Sequence, residues 1–447
     1  MFINLIEIEN IIEKASHILW GTPIITFIVI AGIIASIAFN FSQIKYFCKG
    51  WGLLFAKKEA TTELKSDSIS SMQAFINALS TSLGNGGLAG MAIVLVEGGP
   101  GTAFWVFILG FFSMILRFFE VYAGIKLAKN NLIGPLSYIS NLPFGKIFTY
   151  FYAFVLLIYI LFGGISMQTN SIGLSLQKTF HFSAFSIGIG FALLIFYIII
   201  GGSKRIMKTS EYIIPVKVSL FFIGIIALLY FHRASIIPTF HLIIDNAFTT
   251  EAMGKGALCF TMQKAITVGF SKALNATEAG VGTASIFFGS TESKEPLKTA
   301  IMSMITAFIS TNLVCTMLIF SIIASGVSTT GITSTELVIA AFSTLLGSFA
   351  GPVITFLSFS FGLGVMVAYT FLGYKIWDFL FGKKTIFVYY TLLIILAFFG
   401  AIASVSLVFK ALDILVGSLI IINLLGLIWN IKTLRSEFLK DQSNLSI

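Results

Sequence analysis

Long apolar stretches follow one another through this chain with short polar breaks between them, and residues 182–201 carry no charge from end to end. A stretch of that kind matches the roughly 20 residues a helix needs to cross a bilayer core about 30 Å thick. The apolar residues are consecutive rather than alternating, so the period of two expected of a membrane β-barrel is absent. Inside lipid every backbone N–H and C=O needs an internal partner, and continuous apolar segments satisfy that only as helices. Composition agrees: of 447 residues, 57% are hydrophobic and 11% charged, against about 25% charged in a soluble domain. A water-soluble globule is excluded, and the expected fold is an all-α polytopic membrane protein with about eleven spanning helices.

The start of the chain, with Glu7, Glu9 and Glu13, lacks the basic region of a cleavable leader, so the first apolar run is expected to persist as a helix. Basic residues gather in alternate loops: 45–65, 126–146, 204–208, 294–298, 383–384 and the tail from Lys432. Loops rich in lysine and arginine stay inside, which puts the N-terminus outside and the C-terminus in the cytoplasm of a plasma-membrane protein, with a bacterial inner membrane favoured. Cys48, Cys259 and Cys315 are odd in number and far apart, implying neither a disulfide framework nor a metal site. No H-E-x-x-H, C-x-x-C or Walker spacing occurs, so no enzyme chemistry or bound cofactor is expected.

Two apolar segments are poor helices. Residues 80–90 read S-T-S-L-G-N-G-G-L-A-G, and each glycine costs about 1 kcal/mol of helix propensity relative to alanine. The segment near 259–290 carries Lys272, Asn275, Thr277 and Glu278 beside A-G-V-G at mid-membrane depth. Both are expected to unwind. With the first helix set aside, they are the first and sixth of ten, the pattern of a five-plus-five inverted repeat with its binding site between the breaks. The expected organisation is an N-terminal helix and basic loop (1–68), a first repeat (69–231), an outer loop (232–258), a second repeat (259–431) and a cytoplasmic tail (432–447).

An unwound segment offers N–H groups to a carboxylate and C=O groups to a small cation. Backbone N–H groups of Asn85, Gly86 and Gly87 are thus candidates for a substrate carboxylate, and carbonyls of Ser82, Leu83 and Gly84 for a cation; close helix packing is the competing role for the glycines. Gln168, placed near the end of a helix closing at 172, and the stretch Asn275, Thr277 and Gly280 are candidates for the remaining substrate contacts. Glu278 is the one carboxylate expected deep in a helix, there to cap the second half-helix and pin the loop. Lys272 is left to pair with it or to reach the interface. Arg117 with Glu120, and Arg205 with Glu211, fall near cytoplasmic ends as gate pairs or interface anchors.

The chain resembles the alanine or glycine:cation symporter family, the sodium:alanine symporters. The likeness rests on L-A-G-M-A-I-V-L-V-E-G-G-P-G-T-A-F-W at 88–105, F-F-E-V at 118–121, G-G-S-K-R-I-M-K-T-S-E-Y-I-I-P at 201–215 and T-E-A-G-V-G-T-A-S at 277–285, with Q-T-N at 168–170 and V-C-T at 314–316. It implies a five-plus-five transporter with an extra helix that couples uptake of a small neutral amino acid, alanine or glycine, to sodium. A monomer in the lipid bilayer, with no nucleic-acid partner, is expected. The chain departs from the family at Gly87, where asparagine is usual, at Asn275 and Thr277, and at Gly364 and Val365, where a serine and a threonine supply hydroxyls to a sodium site. Tyr369 replaces a tryptophan of the pocket wall, and Ser310 an aspartate. Those losses keep open a transporter driven by protons or by no ion, and a non-transporting amino-acid sensor on the same scaffold.

Overall fold

The computed structural model describes residues 19–55, 69–129, 132–248, 262–291, 295–327, 331–332, 334–403 and 405–444. In chain order the helices are α1 (Thr22–Ala38), α2 (Ser42–Lys45), α3 (Phe47–Phe55), α4 (Ser71–Thr81), α5 (Asn85–Gly98), α6 (Thr102–Lys126), α7 (Pro135–Ile139) and α8 (Gly145–Phe180), then α9 (Ala184–Ile200), α10 (Gly202–Phe231) and α11 (Ile236–Ala247). They continue with α12 (Met262–Thr277), α13 (Thr283–Gly289), α14 (Pro296–Ala324), α15 (Ser334–Leu346), α16 (Ala350–Phe381), α17 (Ile386–Ile402), α18 (Val405–Trp429) and α19 (Ile431–Ser443). Among the described residues eight helical segments are long and apolar enough to cross a membrane, and Pro23–Ala38 and Ala184–Ile200 are shorter apolar helices. Ile147, Phe151, Phe154, Phe196, Ile223 and Ile226 are exposed. Such a surface is costly in water and costless among lipid tails, so this is a multi-pass membrane protein.

Both expected breaks are present. α4 begins at a capping box, with Ser70 Oγ accepting the Gln73 N–H at 3.1 Å and Gln73 Oε1 accepting the Ser70 N–H at 2.9 Å. It ends at Thr81, and α5 restarts at Asn85 after Gly84 turns extended. The second break separates α12 from α13, with φ of 55° at Glu278, 86° at Gly280 and 96° at Gly282. Glycine accepts that left-handed conformation without the steric cost other residues meet. At Gly282 space is a further constraint, since a Cβ would run into Pro135, the Tyr152 hydroxyl and Asn423. The Ile69 N–H donates to Ser290 C=O at 3.2 Å, joining the entry of α4 to the exit of α13.

α5 and α6 form the centre, packed by α12, α13 and α14. On α6 the residues from Ser113 to Gly124 are all buried. Several elements differ from the sequence expectation. Part of the expected outer loop is helix α11, because Thr239, Ile243 and Ala247 recur at helical spacing and bury one face, and Ala247 C=O accepts the Trp105 indole N–H at 3.0 Å. α15 was not expected at all; it buries Leu337, Val338, Ala341 and Phe342. The expected tail holds α19, whose Asp441 accepts from Lys126 Nζ at 2.9 Å and Tyr122 OH at 2.8 Å. α8 runs on to Phe180, carrying a π-helical stretch at Ile160–Ser166, so Gln168 is interior to it rather than near its end.

Gly282→Ala is expected to lower the melting temperature of the detergent-purified protein clearly more than Gly347→Ala. Both glycines have positive φ, but nothing lies within 4 Å of a Cβ at 347, so that variant isolates the backbone cost of about 1–2 kcal/mol.

Candidate functional site

The free peptide groups at the first break are caught by side chains from other helices. The Asn85 N–H donates to Gln168 Oε1 at 3.2 Å, and Gln168 Nε2 donates to Gly163 C=O at 3.2 Å. The Gly87 N–H donates to Gly84 C=O at 2.9 Å. Asn85 turns its side chain toward α16, where it accepts from Ser358 Oγ at 2.8 Å and donates to Ser358 C=O at 3.2 Å. The expected carboxylate cradle at Asn85, Gly86 and Gly87 is therefore altered: two of its N–H groups are taken internally, and of the three residues only Gly86 lines the cavity described below.

One guanidinium spans both breaks. Arg117 on α6, fully buried, donates from Nη2 to Ser82 Oγ at 3.2 Å and to Thr277 C=O at 2.8 Å. Three residues on, Glu120 is also fully buried and accepts from Asn423 Nδ2 at 2.9 Å, and the same amide donates to Gly280 C=O at 2.9 Å. Tyr152 OH donates to Val281 C=O. The Arg117 and Glu120 pair is thus no interface anchor, since both side chains are fully buried. It lies at the centre because α6 carries the polar pair toward the breaks, where exposed carbonyls compensate a charge that lipid would not. Glu278 accepts from Thr283 Oγ1 at 2.8 Å and Tyr159 OH at 3.1 Å; it pins the loop through the threonine hydroxyl, and the N-cap position of α13 is Gly282, with no side-chain cap.

Between the breaks is a cavity of about 240 Å³ lined by residues of α4 to α5, α8, α12, α16 and α18. Its wall carries both signs of charge: Glu97, Glu278 and Asp413 against Lys272. Lys272 Nζ pairs with Asp413 Oδ2 at 2.8 Å, rather than with Glu278, and Asn275 Nδ2 donates to Asp413 Oδ1. Asp413 was missed by the sequence reading; as a lone acid in an apolar run it carried the signal of an intramembrane ionisable group. Tyr369 lines the cavity edge-on to Tyr159, their centroids 5.9 Å apart, and its buried hydroxyl has no partner. A polar group buried without a partner costs free energy that a ligand would recover.

The other expected residues sit as follows. Gln168 and Asn275 line the cavity, as does Gly84. Thr277 and Gly280 are buried behind it, their carbonyls engaged by Arg117 and Asn423. Glu211 is half-exposed on α10 and does not line the cavity, and the side chain of Arg205 lies outside the described residues. Leu83 C=O, expected to face a cation, accepts from Lys217 Nζ at 3.0 Å. Lys217 also escaped the sequence reading, although a single lysine within I-I-P-V-K-V-S-L-F-F has no interface within snorkelling reach.

The family model described as the sodium:alanine symporter family matches residues 5–443. A sodium/alanine symporter of Methanococcus maripaludis is 30% identical over 94% of this chain and 94% of its own length. An amino-acid carrier protein of Bacillus subtilis is 26% identical over 88% of this chain and 84% of its own. Among solved structures, a manganese transporter mutant of Eremococcus coleocola superposes with a TM-score of 0.55 at 12% identity, covering 85% of this chain and 81% of that one. That likeness concerns the fold alone.

Two variants separate the tie from the cavity. Arg117→Met is expected to lower the melting temperature, by the equivalent of about 2–4 kcal/mol, because the Ser82 hydroxyl and the Thr277 carbonyl lose their shared charged donor. Tyr369→Phe is expected to leave the melting temperature within a degree or two while weakening ligand binding roughly 10- to 150-fold, the value of one lost hydrogen bond to a charged group.

Proposed function

Since the chain belongs to the sodium:alanine symporter family, we propose that it is a secondary active transporter that carries a small neutral amino acid, alanine or glycine first among them, by alternating access. The observation that carries this reading is the doubly charged cavity at the facing helix breaks. A zwitterion needs both signs within a few ångströms and little room beyond them. Lys272, Asn275, Gln168 and the Tyr369 hydroxyl suit its carboxylate, and Glu278 and Asp413 suit its ammonium. At about 240 Å³ the space is below the 300–1,000 Å³ range of drug-sized pockets, which favours a short side chain.

The residues also suggest how the site changes access. Glu97 lines the cavity and is exposed, so the cavity reaches solvent at the end of α5, the side that the basic-loop distribution places outside. In this reading the seal on the other side is the Arg117, Glu120 and Asn423 cluster with the packed rings of Phe118 and Tyr122. Transport requires that side to open while the Glu97 side shuts, with the substrate charges held between.

Uptake of radiolabelled alanine, glycine and glutamine into proteoliposomes containing the purified chain tests this. Saturable accumulation of at least one small neutral amino acid, abolished by Asp413→Asn or reduced more than tenfold, is expected. Absence of flux with all of them, in every salt tried, would remove the reading.

A further inference from the structure

The family is named for sodium beside its substrate, and the first break is where the sequence reading expects carbonyls to face a cation. The ammonium of Lys217 is there instead. Lys217 reaches in from α10 with no exposed surface, and its Nζ is 3.0 Å from Leu83 C=O, 3.1 Å from Ser80 Oγ and 3.5 Å from Ser80 C=O. Its remaining face is toward the Phe361 ring, 5.2 Å from the centroid, where the π-cloud takes up positive charge. Among the described residues no carboxylate is in ion-pair reach of it. Oxygens of Ser80, in the last turn of α4, and of Leu83 in the unwound segment, with an aromatic face, are thus its compensation, and Leu83 C=O is one of the three carbonyls expected to face a cation.

Gly364 makes this possible. A Cβ at that position would be 2.7 Å from Lys217 Nζ and 2.7 Å from Ser80 Oγ, so a side chain at 364 would displace the lysine head group and the Ser80 hydroxyl from their present positions. The two residues, one on α10 and one on α16, form a single exchange: a hydroxyl-bearing side chain is absent where a tethered cation is present. Two positive charges cannot share one set of carbonyls at hydrogen-bond distance inside a low-dielectric core, where their repulsion is poorly screened.

We propose that the Lys217 ammonium is a built-in substitute for the coupling cation at the first helix break, and that this chain moves its substrate without sodium. The inference rests on the transporter reading above and narrows it. The lysine holds the unwound segment in shape through the transport cycle, which a diffusible ion does only while bound.

Two measurements on the full chain test it. In proteoliposomes, the initial rate of alanine uptake is expected to stay within twofold when external sodium is replaced by choline at constant ionic strength; a tenfold or larger loss overturns the proposal. In detergent, without any amino acid, the melting temperature is expected to follow the same curve in sodium chloride and choline chloride, and a sodium-specific rise overturns it. The double variant Lys217→Ala/Gly364→Ser frees the carbonyls and returns a hydroxyl beside them, and is expected to acquire the sodium-specific rise that the natural chain lacks. If that variant does not fold, the two readings on the natural chain decide. Failure of the amino-acid reading appears separately, as absence of flux in both salts, because the melting curves need no substrate.

Discussion

A buried guanidinium with one donor group shared between two helix breaks is the constraint on which the rest of this molecule depends. Breaking a helix inside lipid frees carbonyls and N–H groups that water cannot reach, at several kcal/mol for each one left unpaired. Arg117 answers one carbonyl and one hydroxyl at once, Ser82 on the first side and Thr277 on the second. Asn423, Tyr152 and Lys217 answer the others. The buried charges Arg117, Glu120, Lys217 and Glu278 gather where the backbone is irregular, and the irregular backbone is tolerated because such partners are there.

The cavity inherits its properties from that arrangement. Gly84 and Gly86 expose main chain to it, Gly164 lets the Tyr369 ring lie close against α8, and a Cβ at 164 would overlap that ring. The Lys272 and Asp413 pair, only partly shielded, with side-chain exposures of 26% and 8%, is soft enough to exchange partners. A charge pair of that kind in a membrane is costly to keep and hard to justify by stability alone, whereas a charged guest that replaces either partner makes sense of its position.

Much of this was legible in the sequence, for definite reasons. Glycines in S-L-G-N-G-G and polar residues in N-A-T-E-A-G-V-G oppose helix in a way that no tertiary contact hides, so the two breaks could be read directly. Contacts across helices could not. Nothing in the letters shows that Gln168 captures the Asn85 N–H, that Asn85 turns to Ser358, or that a π-helical stretch before Met167 resets which face Gln168 presents. Arg117 and Glu120 were misplaced because position along a helix says how far a residue is from the loop, not which neighbours converge on it. The amphipathic α11 was hidden between two polar stretches, its buried residues too few for a spanning pattern. Lys217 was passed over because it follows closely on Lys204, Arg205, Lys208 and Glu211 in the letters, although its depth distinguishes it.

The backbone hydrogen bond from Ile69 to Ser290 gives the broken pair a mechanical character. Four half-helices pinned where the first enters and the last leaves, and cross-braced midway by a planar, inflexible group, make a truss: triangulated, and stiff against shear. A load applied at one end of such a pair reaches the other through the brace, so the four half-helices respond together rather than one by one.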